Sequence, residues 1–394
     1  MGTRKSFADI VRETEEDLRQ RLQAKVPEWA GVLPELQLPA RLNVEQCSSS
    51  AAARYKAELA ARILQGADGS GLAGPVTGRI ADLTGGLGVD AWAFSAVAEE
   101  VLYNEMDPVL CEAVRANFAL LGVRNTVFRN AEVRPGIIRE ILGGFRPDLI
   151  YLDPARRSAT GRKVFLLEDC RPDLIGLQDE LFSVCPQLLV KLSPMADITL
   201  LRRRLKGVRE VHIVSVDGEC KELLLQLSAG EEETCQLTVT ELSKSGTATL
   251  RFGAADKETR CPGLESASLR EGNWLFEPGA ALLKSACHDA ACHRAGLRKL
   301  APYTHLYIAG SPDAALAGFG RFRQILDILP LDRHAMKEAG KRYPAAGVTA
   351  RNIPMHSDEL ARRLGIRSGG SAHIYGTTVQ EASERRVLIV TQSR

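Results

Sequence analysis

A glycine-rich segment carries the residues best suited to hold a ligand. Ala81-Asp-Leu-Thr-Gly-Gly-Leu-Gly-Val-Asp90 follows an apolar run typical of a strand and precedes a helical pattern. Glycine at such a turn lets the backbone approach a ligand closely and adopt positive φ. The dinucleotide fingerprint G-x-G-x-x-G would need glycine at position 91, where this chain has Ala91, although alanine is tolerated there.

The acid in this segment separates two kinds of cofactor. Asp82 lies at the end of the predicted strand, where its carboxylate would repel a pyrophosphate bound on the same turn. S-adenosylmethionine (SAM) has no phosphate and carries an ammonium and a sulfonium, so an acid suits it. The segment therefore favours SAM over a nicotinamide dinucleotide, and a glycine-rich turn without any ligand is the remaining interpretation.

Polar residues after the next two predicted strands extend this candidate site. Glu105 lies 17 residues after Gly88, where a carboxylate can accept hydrogen bonds from both ribose hydroxyls of an adenosine ligand. Asn130 can hydrogen-bond an adenine edge, and Glu132 is the alternative for that role. The residues predicted to bind the cofactor are Asp82, Thr84, Gly85, Gly86, Gly88, Asp90, Glu105, Met106, Asn130 and Ala131.

A second motif is suited to act on a substrate. The apolar run in Pro147-Asp-Leu-Ile-Tyr-Leu-Asp-Pro-Ala-Arg-Arg157 ends at the carboxyl edge of a central strand, where open α/β sheets bind ligands. Proline withholds a donor and leaves nearby carbonyls free to accept from a substrate amine. We predict Asp153, Pro154 and Arg156 as catalytic residues, and Arg157, Lys191 and Ser193 as substrate-binding residues.

The elements around these motifs predict an α/β fold. Residues 1–75 are typical of helices, including one near Ala51–Leu64 that Ser48–Ser50 can cap. From residue 79, strands and helices alternate at the spacing of a doubly wound, mainly parallel sheet. The predicted strands are 79–83, 101–104, 126–129, 148–152, 188–192, 211–216 and 223–227, the last two as an antiparallel hairpin at the sheet edge; the helices between them run to Ala98 and over 108–121, 136–142 and 197–205.

The rhythm changes after residue 230. A hairpin is predicted at 237–242 and 247–252, followed by a mixed segment with a helix near 280–291. From about Arg321, strands and helices alternate again, with a helix at 358–364 and strands at 373–377 and 387–391.

On these motifs the chain resembles the class I SAM-dependent methyltransferases. The combination with Val190-Lys-Leu-Ser-Pro194 and Glu219-Cys-Lys-Glu222 is similar to a bacterial family that carries a C-terminal THUMP-like domain. Glu277-Pro-Gly-Ala280 and Thr304-His-Leu-Tyr307 resemble markers of the small ferredoxin-like segment that precedes it. The resemblance implies a Rossmann-like sheet and RNA as substrate, with a helical extension at 1–75, a methyltransferase domain at 76–265, a ferredoxin-like α+β segment at 272–320 and a THUMP-like α+β domain at 321–394.

The acceptor of the methyl group stays open. Amino-group methyltransferases usually carry Asp/Asn-Pro-Pro-aromatic, whose ring stacks on a flipped base, whereas this chain has Ala155 and Arg156. Arg156 could stack through its guanidinium plane or hold a phosphate. Methylation at pyrimidine C5 needs a cysteine nucleophile, and Cys220 is the one candidate near the later strands, although a buried or incidental thiol is favoured. A SAM-binding RNA adaptor and a nicotinamide-dependent reductase are the alternative functions.

Composition sets the broad class. The chain has 394 residues, 45% hydrophobic and 25% charged, with net charge +2 and without an apolar run long enough to span a membrane. Nine cysteines without a C-x-x-C pair indicate reduced thiols, and the polar N-terminal residues lack a secretory signal, so we expect a cytoplasmic protein. Residues 321–394 hold 13 basic and 7 acidic residues, a net of +6 that indicates polyanion binding or ordinary scatter.

Two other signals are more typical of structure than of chemistry. Cys287, His288, Cys292 and His293 suggest a metal site, but only His288 and Cys292 share a helix face, so no metal is expected. Arg202-Arg-Arg204 is typical of a solvated helix end, with a phosphate contact as the alternative.

Overall fold

A computed structural model describes residues 7–66, 76–156, 170–230, 234–264, 269–381 and 383–393. The chain forms two compact units. The first comprises Met1–Val214 and Lys221–Cys235, and the second comprises Ser215–Cys220 and Gln236–Arg394. In the described residues, no helix is long and apolar enough to cross a membrane.

The first unit begins with helices. They are α1 (Phe7–Lys25), a 3-10 helix (Pro27–Glu35), α2 (Arg41–Gln46) and α3 (Ser50–Gln65). The predicted helix near residues 51–64 is confirmed as α3, and its first turn is capped by Ser49, whose hydroxyl accepts from the Ala52 backbone. Eight residues of α3 are buried, which indicates that this helix packs into the unit rather than lying on its surface.

The sheet of the first unit confirms the predicted α/β alternation. Its strands are β1 (Val76–Asp82), β2 (Ala98–Asn104), β3 (Thr126–Arg129), β4 (Leu149–Leu152), β7 (Gln187–Leu192), β8 (Val208–Val216) and β9 (Glu219–Ser228), with a short separate pair β5 (Ala155–Arg156) and β6 (Cys170–Arg171). The intervening helices are α4 (Val89–Ser95), α5 (Pro108–Leu120), α6 (Ile138–Leu142), α7 (Leu174–Phe182) and α8 (Ile198–Arg204). The predicted helix through Ala98 is wrong at its end, because Ala98 already pairs in β2.

The strand order places the predicted site residues on one edge. These strands belong to a nine-stranded sheet and follow the order β8–β9–β7–β4–β1–β2–β3, with parallel pairing from β7 to β3 and β9 antiparallel to β7. The predicted position of the β8–β9 hairpin at the sheet edge is wrong, because β8 has a neighbouring strand on each side. Parallel strands direct their carboxyl ends to the same edge. The loops after β1, β2, β3, β4 and β7 therefore meet where an open α/β sheet binds ligands.

The β8–β9 connection is tighter than predicted. The expected six-residue link, Asp217–Glu222, is a two-residue turn at Asp217 and Gly218, which both adopt positive φ. Asp-Gly in this conformation is the favoured two-residue hairpin turn. Glu222 consequently lies within β9 rather than in a loop, and its side chain is buried in the first unit.

The second unit is built on an antiparallel hairpin and a seven-stranded sheet. The hairpin is β10 (Gln236–Ser243) with β11 (Gly246–Phe252), as predicted. The sheet order is β13–β14–β12–β15–β18–β17–β16, with strands β12 (Trp274–Pro278), β13 (Arg298–Lys299), β14 (Tyr307–Ala309), β15 (Gly320–Pro330), β16 (Ala345–Arg351), β17 (Arg367–Gln380) and β18 (Glu384–Gln392). Its described helices are a 3-10 helix (Ala254–Lys257), α9 (Ala280–Lys284), α10 (His288–Arg294), α11 (Arg333–Arg342) and α12 (Ser357–Leu364).

One element of the second unit differs from the prediction. The single helix expected near 280–291 is two helices, α9 and α10, separated by Ser285–Cys287. Ala286 adopts φ +58°, which a continuous right-handed helix cannot contain. Apart from this, α12 and the strands at 373–377 and 387–391 are where the pattern predicts them.

Candidate active site

The glycine-rich loop between β1 and α4 is folded against β2. The Gly85 amide donates to the Asn104 carbonyl over 2.8 Å, and Tyr103 donates its hydroxyl to the Gly86 carbonyl over 2.6 Å. A Cβ on Gly85 would lie 2.1 Å from the Tyr103 ring. Gly86 and Gly88 adopt positive φ, and a Cβ on Gly88 would lie 2.7 Å from Val114. The loop therefore needs glycine for close approach at Gly85 and Gly88, and for positive φ at Gly86 and Gly88.

Asp82 is a buried acid with spare hydrogen-bonding capacity. Its Oδ1 accepts from the Thr84 amide over 3.0 Å, and its Oδ2 has no hydrogen-bond partner among the described residues. Burial, and then the nearby Asp90 carboxylate, raise the pKa of Asp82 well above its ordinary value. A buried acceptor of this kind would be ionised and satisfied by an ammonium ligand. The residue thus fits the amino group of SAM.

Glu105 lies where the loops after β1 and β2 meet. Its Oε2 accepts from the Gly86 amide over 2.9 Å, and its Oε1 accepts from the Asp107 amide over 2.9 Å. Asp107 caps α5, whose first residue is Pro108. The Glu105 carboxylate is thereby held at the edge of the glycine-rich loop, in the place expected for a ribose ligand.

The other predicted cofactor residues line the same edge. Asn130 is exposed, and its side-chain amide donates to the Glu105 carbonyl over 2.6 Å, which leaves its oxygen available. Met106 is 47% exposed, Ala131 is half-buried, and the alternative Glu132 is exposed. Their roles toward a cofactor stay predictions.

Sequence reasoning missed Asn104, which joins three loops. Its side-chain amide donates to the Leu83 and Ala131 carbonyls, each over 3.0 Å, and its oxygen accepts from the Ala131 amide over 3.1 Å. It is 1% exposed. A polar residue within the apolar run of β2, immediately before Glu105, was the signal that could have identified it.

Asp153 is held by contacts to the glycine-rich loop and to β7. Its backbone amide donates to the Thr84 hydroxyl over 2.6 Å, which ties it to the glycine-rich loop. Its Oδ2 lies 2.5 Å from Nζ of Lys191, at the end of β7. Although burial disfavours the ammonium, the carboxylates of Asp153 and Glu222 raise the pKa of Lys191 above its ordinary value. Lys191 is therefore a charged donor that orients Asp153 and leaves its other oxygen free to accept.

The residues that follow Asp153 differ in what the structure shows of them. Pro154 is buried, and the backbone of Ala155 and Arg156 pairs with Arg171 and Cys170 in the β5–β6 ribbon. Arg157 lies outside the described residues, so its predicted substrate role stays a prediction. The predicted catalytic role of Arg156 also stays a prediction.

Ser193 follows β7 beside Lys191. Its hydroxyl accepts from the amide of Met195, which is 61% exposed. This loop ends at α8, in whose last turn Arg202–Arg204 lie. Ser193 is thus near the edge, but it supports the local turn.

Asp90 is bound by the protein itself. Tyr151 and Ser48 donate their hydroxyls to its Oδ2 over 2.8 and 3.0 Å, and Nζ of Lys56 lies 2.9 Å from its Oδ1. Lys56 also lies 3.3 Å from Glu222 and is fully buried. Sequence reasoning missed Lys56 and Glu222. A lysine within the alanine-rich apolar face of α3 was the available signal.

Of the cysteine and histidine residues near position 290, Cys287 precedes α10, and His288, Cys292 and His293 lie in it. His288 packs edge-to-face on His305, with ring centroids 4.6 Å apart, and burial lowers the pKa of His288 to about 4. In the part of the chain that the structure describes, no group of three or more histidine, cysteine or acidic side chains could hold a metal ion. Cys220 is half-buried at the start of β9.

Comparisons with known proteins agree with this architecture. A family model described as a ferredoxin-like domain matches residues 274–316, and one described as THUMP domain-like matches residues 320–393. A solved structure from Porphyromonas gingivalis W83, of a protein provisionally assigned as a methyltransferase, is 30% identical, with a TM-score of 0.80. The alignment covers 96% of this chain and 89% of that one.

Other structural similarities are much weaker. A modification subunit provisionally assigned to a type I restriction enzyme from Vibrio vulnificus YJ016 is 8% identical over 52% of this chain and 55% of that one, with a TM-score of 0.35. Precorrin-6y C5,15-methyltransferase from Geobacter metallireducens GS-15 is 12% identical over 44% and 87%, with a TM-score of 0.30. Neither bears on function, and no curated protein matches the chain.

Proposed function

This chain belongs to the class I methyltransferase family with a C-terminal THUMP-like domain that includes the Porphyromonas gingivalis protein, and we propose that it transfers a methyl group from SAM to RNA. The observation that carries the proposal is the placement of Asp153. One hydrogen bond ties this residue to the glycine-rich loop, and an ion pair ties it to Lys191. The residue suited to accept from a nucleophile is thus connected directly to the loop suited to hold the cofactor.

The cofactor would be held by the loops after β1 and β2. Asp82 has a buried oxygen without a partner among the described residues, which suits the SAM ammonium, and Glu105 suits its ribose hydroxyls. Gly85, Gly86 and Gly88 allow the backbone to come close. When bound, SAM supplies a methyl group on a positively charged sulfur, ready for attack by a nucleophile.

Asp153 and Pro154 would align the nucleophile. Lys191 occupies one oxygen of Asp153, so the other can accept a hydrogen bond, and then the proton, from the attacking amine or hydroxyl. The Pro154 carbonyl is a second acceptor. Alignment of the nucleophile with the methyl carbon accounts for much of such catalysis.

RNA is the substrate class that the second unit favours. Its THUMP domain-like match spans residues 320–393, and the nearly identical range 321–394 carries the net charge of +6. Basic surfaces bind the phosphate backbone and release counterions.

The first test separates cofactor binding from transfer. Gly86→Arg places a large side chain in the loop at a positive φ, so calorimetry should show loss of SAM binding. Asp153→Ala should bind SAM normally and transfer no tritiated methyl group to RNA from a strain that lacks the gene. Asp148→Ala is the matched control, since this acid caps the opposite end of β4 by accepting from the Arg79 amide. Unchanged SAM binding by Gly86→Arg, or full transfer by Asp153→Ala, contradicts the assignment.

A second candidate is a SAM-binding RNA adaptor without transferase activity. It is favoured by Ala155 and Arg156, which replace the proline and aromatic residue usual in amino-group methyltransferases. The same radiolabel assay decides between them. Methyl incorporation by the wild-type protein excludes the adaptor, and SAM and RNA binding without incorporation supports it.

A further inference from the structure

The candidate active site of the first unit contains more buried charge than a cofactor site needs. Its ionisable groups come from the elements packed around it: Asp82 of β1, Asp90 of α4, Glu105 after β2, Tyr151 of β4, Asp153 after β4, Lys191 of β7, Glu222 of β9, Cys47 before α3 and Lys56 of α3. Five are carboxyl groups and two are lysines. A buried carboxylate is costly unless a cation is close, so each lysine has a large effect on its neighbours.

Lys56 lies at the centre of this cluster, although it comes from the N-terminal helices. Its side chain is 0% exposed, with Nζ 2.9 Å from Oδ1 of Asp90, 3.3 Å from Oε2 of Glu222 and 2.7 Å from the Ser48 hydroxyl. Asp90 is in the glycine-rich segment, and Glu222 is in the strand next to Lys191. The Lys56 ammonium therefore connects the glycine-rich segment to β9, the strand that pairs with β7 and its Lys191.

We propose that Lys56 is a positioning residue of the methyl-transfer site: its ammonium joins Asp90 to Glu222 and holds both carboxyl groups in place beside Asp153 and Lys191. This inference rests on the proposed function. Lys56 is fully buried and contacts Asp90 and Glu222, so it acts through them and then through Lys191. The N-terminal helices would accordingly be part of the catalytic unit.

The charges give the sign of the effect of removing Lys56. Burial disfavours the Asp90 carboxylate, yet the Lys56 ammonium holds the pKa of Asp90 below its ordinary value. Burial raises the pKa of Glu222, and Lys56 opposes that rise. In Lys56→Met both carboxyl pKa values rise in the folded state. Folded groups with raised pKa values stabilise below the unfolded pKa and lose that contribution as pH increases. The variant should therefore be most destabilised at high pH and recover on acidification.

The matched control is Lys25→Met. Lys25 also belongs to the N-terminal helices, but its Nζ donates to the backbone carbonyls of Val44, Glu45 and Cys47 over 3.0, 2.5 and 3.1 Å. Its removal costs these backbone hydrogen bonds, and its acidic neighbour Glu45 is exposed, so no buried carboxylate is left without a cation. Its stability deficit should therefore vary little with pH.

The test measures Tm of both variants and the wild type between pH 5 and 8. Lys56→Met should lose roughly 6–20 °C at pH 8, and the deficit should shrink by at least about half at pH 5. The double variant Lys56→Met with Glu222→Gln removes one charge of each sign, so its deficit should depend less on pH. A deficit of Lys56→Met that is equal at both pH values, as for Lys25→Met, overturns the proposal. Should Lys56→Met fail to fold at pH 8, the double variant must still fold, and its failure counts against the proposal.

Turnover supplies the second readout. With tritiated SAM and RNA from a strain lacking the gene, the acid limb of the rate for Lys56→Met should move up by about one pH unit, and the double variant should move it back. An unmoved limb overturns the positioning role. A wild-type protein that transfers no methyl group contradicts the proposed function instead, and the stability measurements, which need no turnover, still test Lys56.

Discussion

Replacing Gly85 with alanine should damage cofactor binding more than its size suggests. The new Cβ would lie 2.1 Å from Cε2 of Tyr103, whereas carbon atoms normally approach to about 3.5–4.0 Å. The tyrosine ring is fully buried between Phe118 and Phe128, and its hydroxyl donates to the Gly86 carbonyl. Because the ring cannot move aside, the loop must move by more than about 1 Å.

The expected cost is about 1–3 kcal/mol, the usual range for overpacking. Because the displaced loop is the one proposed to hold SAM, this cost corresponds to roughly 5- to 150-fold weaker binding. Calorimetry with SAM measures it, alongside a thermal melt. Gly31→Ala is the control, since no atom lies within 4 Å of its added Cβ. Gly85→Ala with wild-type affinity and Tm would refute the packing argument.

Three further variants test the account. Asn104→Ala leaves the carbonyls of Leu83 and Ala131 without their donor, so urea unfolding should show a loss of about 1–3 kcal/mol; a loss below about 0.5 kcal/mol contradicts it. Asp82→Asn keeps the shape of the side chain of an acid whose pKa is raised, so Tm at pH 7 should change little. The affinity for SAM should nevertheless fall at least about tenfold, and an unchanged affinity argues against a contact between Asp82 and the SAM ammonium. Burial lowers the pKa of His373 to about 4, so its stabilising contribution is present above about pH 6.5 and is lost as pH falls toward 4. His373→Gln should therefore flatten the curve of unfolding free energy against pH between these values. An unchanged curve contradicts this prediction.

The sequence was informative where local pattern and strand ends coincide. The apolar runs that precede Asp82, Glu105 and Asp153 are buried strands whose loops share one edge, because parallel strands joined by helices must align in this way. Asp107 and Pro108 begin α5 where their capping preferences place them. These features depend on neighbouring residues, so a single sequence contains them.

Contacts between distant residues could not be derived in the same way. Lys56 and Glu222 are 166 positions apart in the sequence. Their side chains come into contact because α3 packs beside β9, which the local sequence pattern does not show. The break between α9 and α10 depends on the conformation of Ala286, a residue that favours helices. Local pattern favours a helix there, and tertiary packing of the second unit overrides it.

The N-terminal helices differ most from what the sequence predicted. From sequence they were an extension before the sheet, but Trp29 is fully buried and packs edge-to-face on Trp92 of α4, with centroids 5.8 Å apart. Together with the Lys56 contacts, this makes them part of the first unit's core. Their removal should expose buried acids as well as apolar surface.

Nucleoside mass spectrometry tests the central claim most directly. RNA is compared from a wild-type strain, a strain lacking the gene, and that strain complemented with the wild-type or Asp153→Ala protein. We predict that a methylated nucleoside disappears on deletion, returns with the wild-type gene and does not return with Asp153→Ala. Identical methylated nucleosides in all four RNA samples would contradict the proposal that this protein methylates RNA.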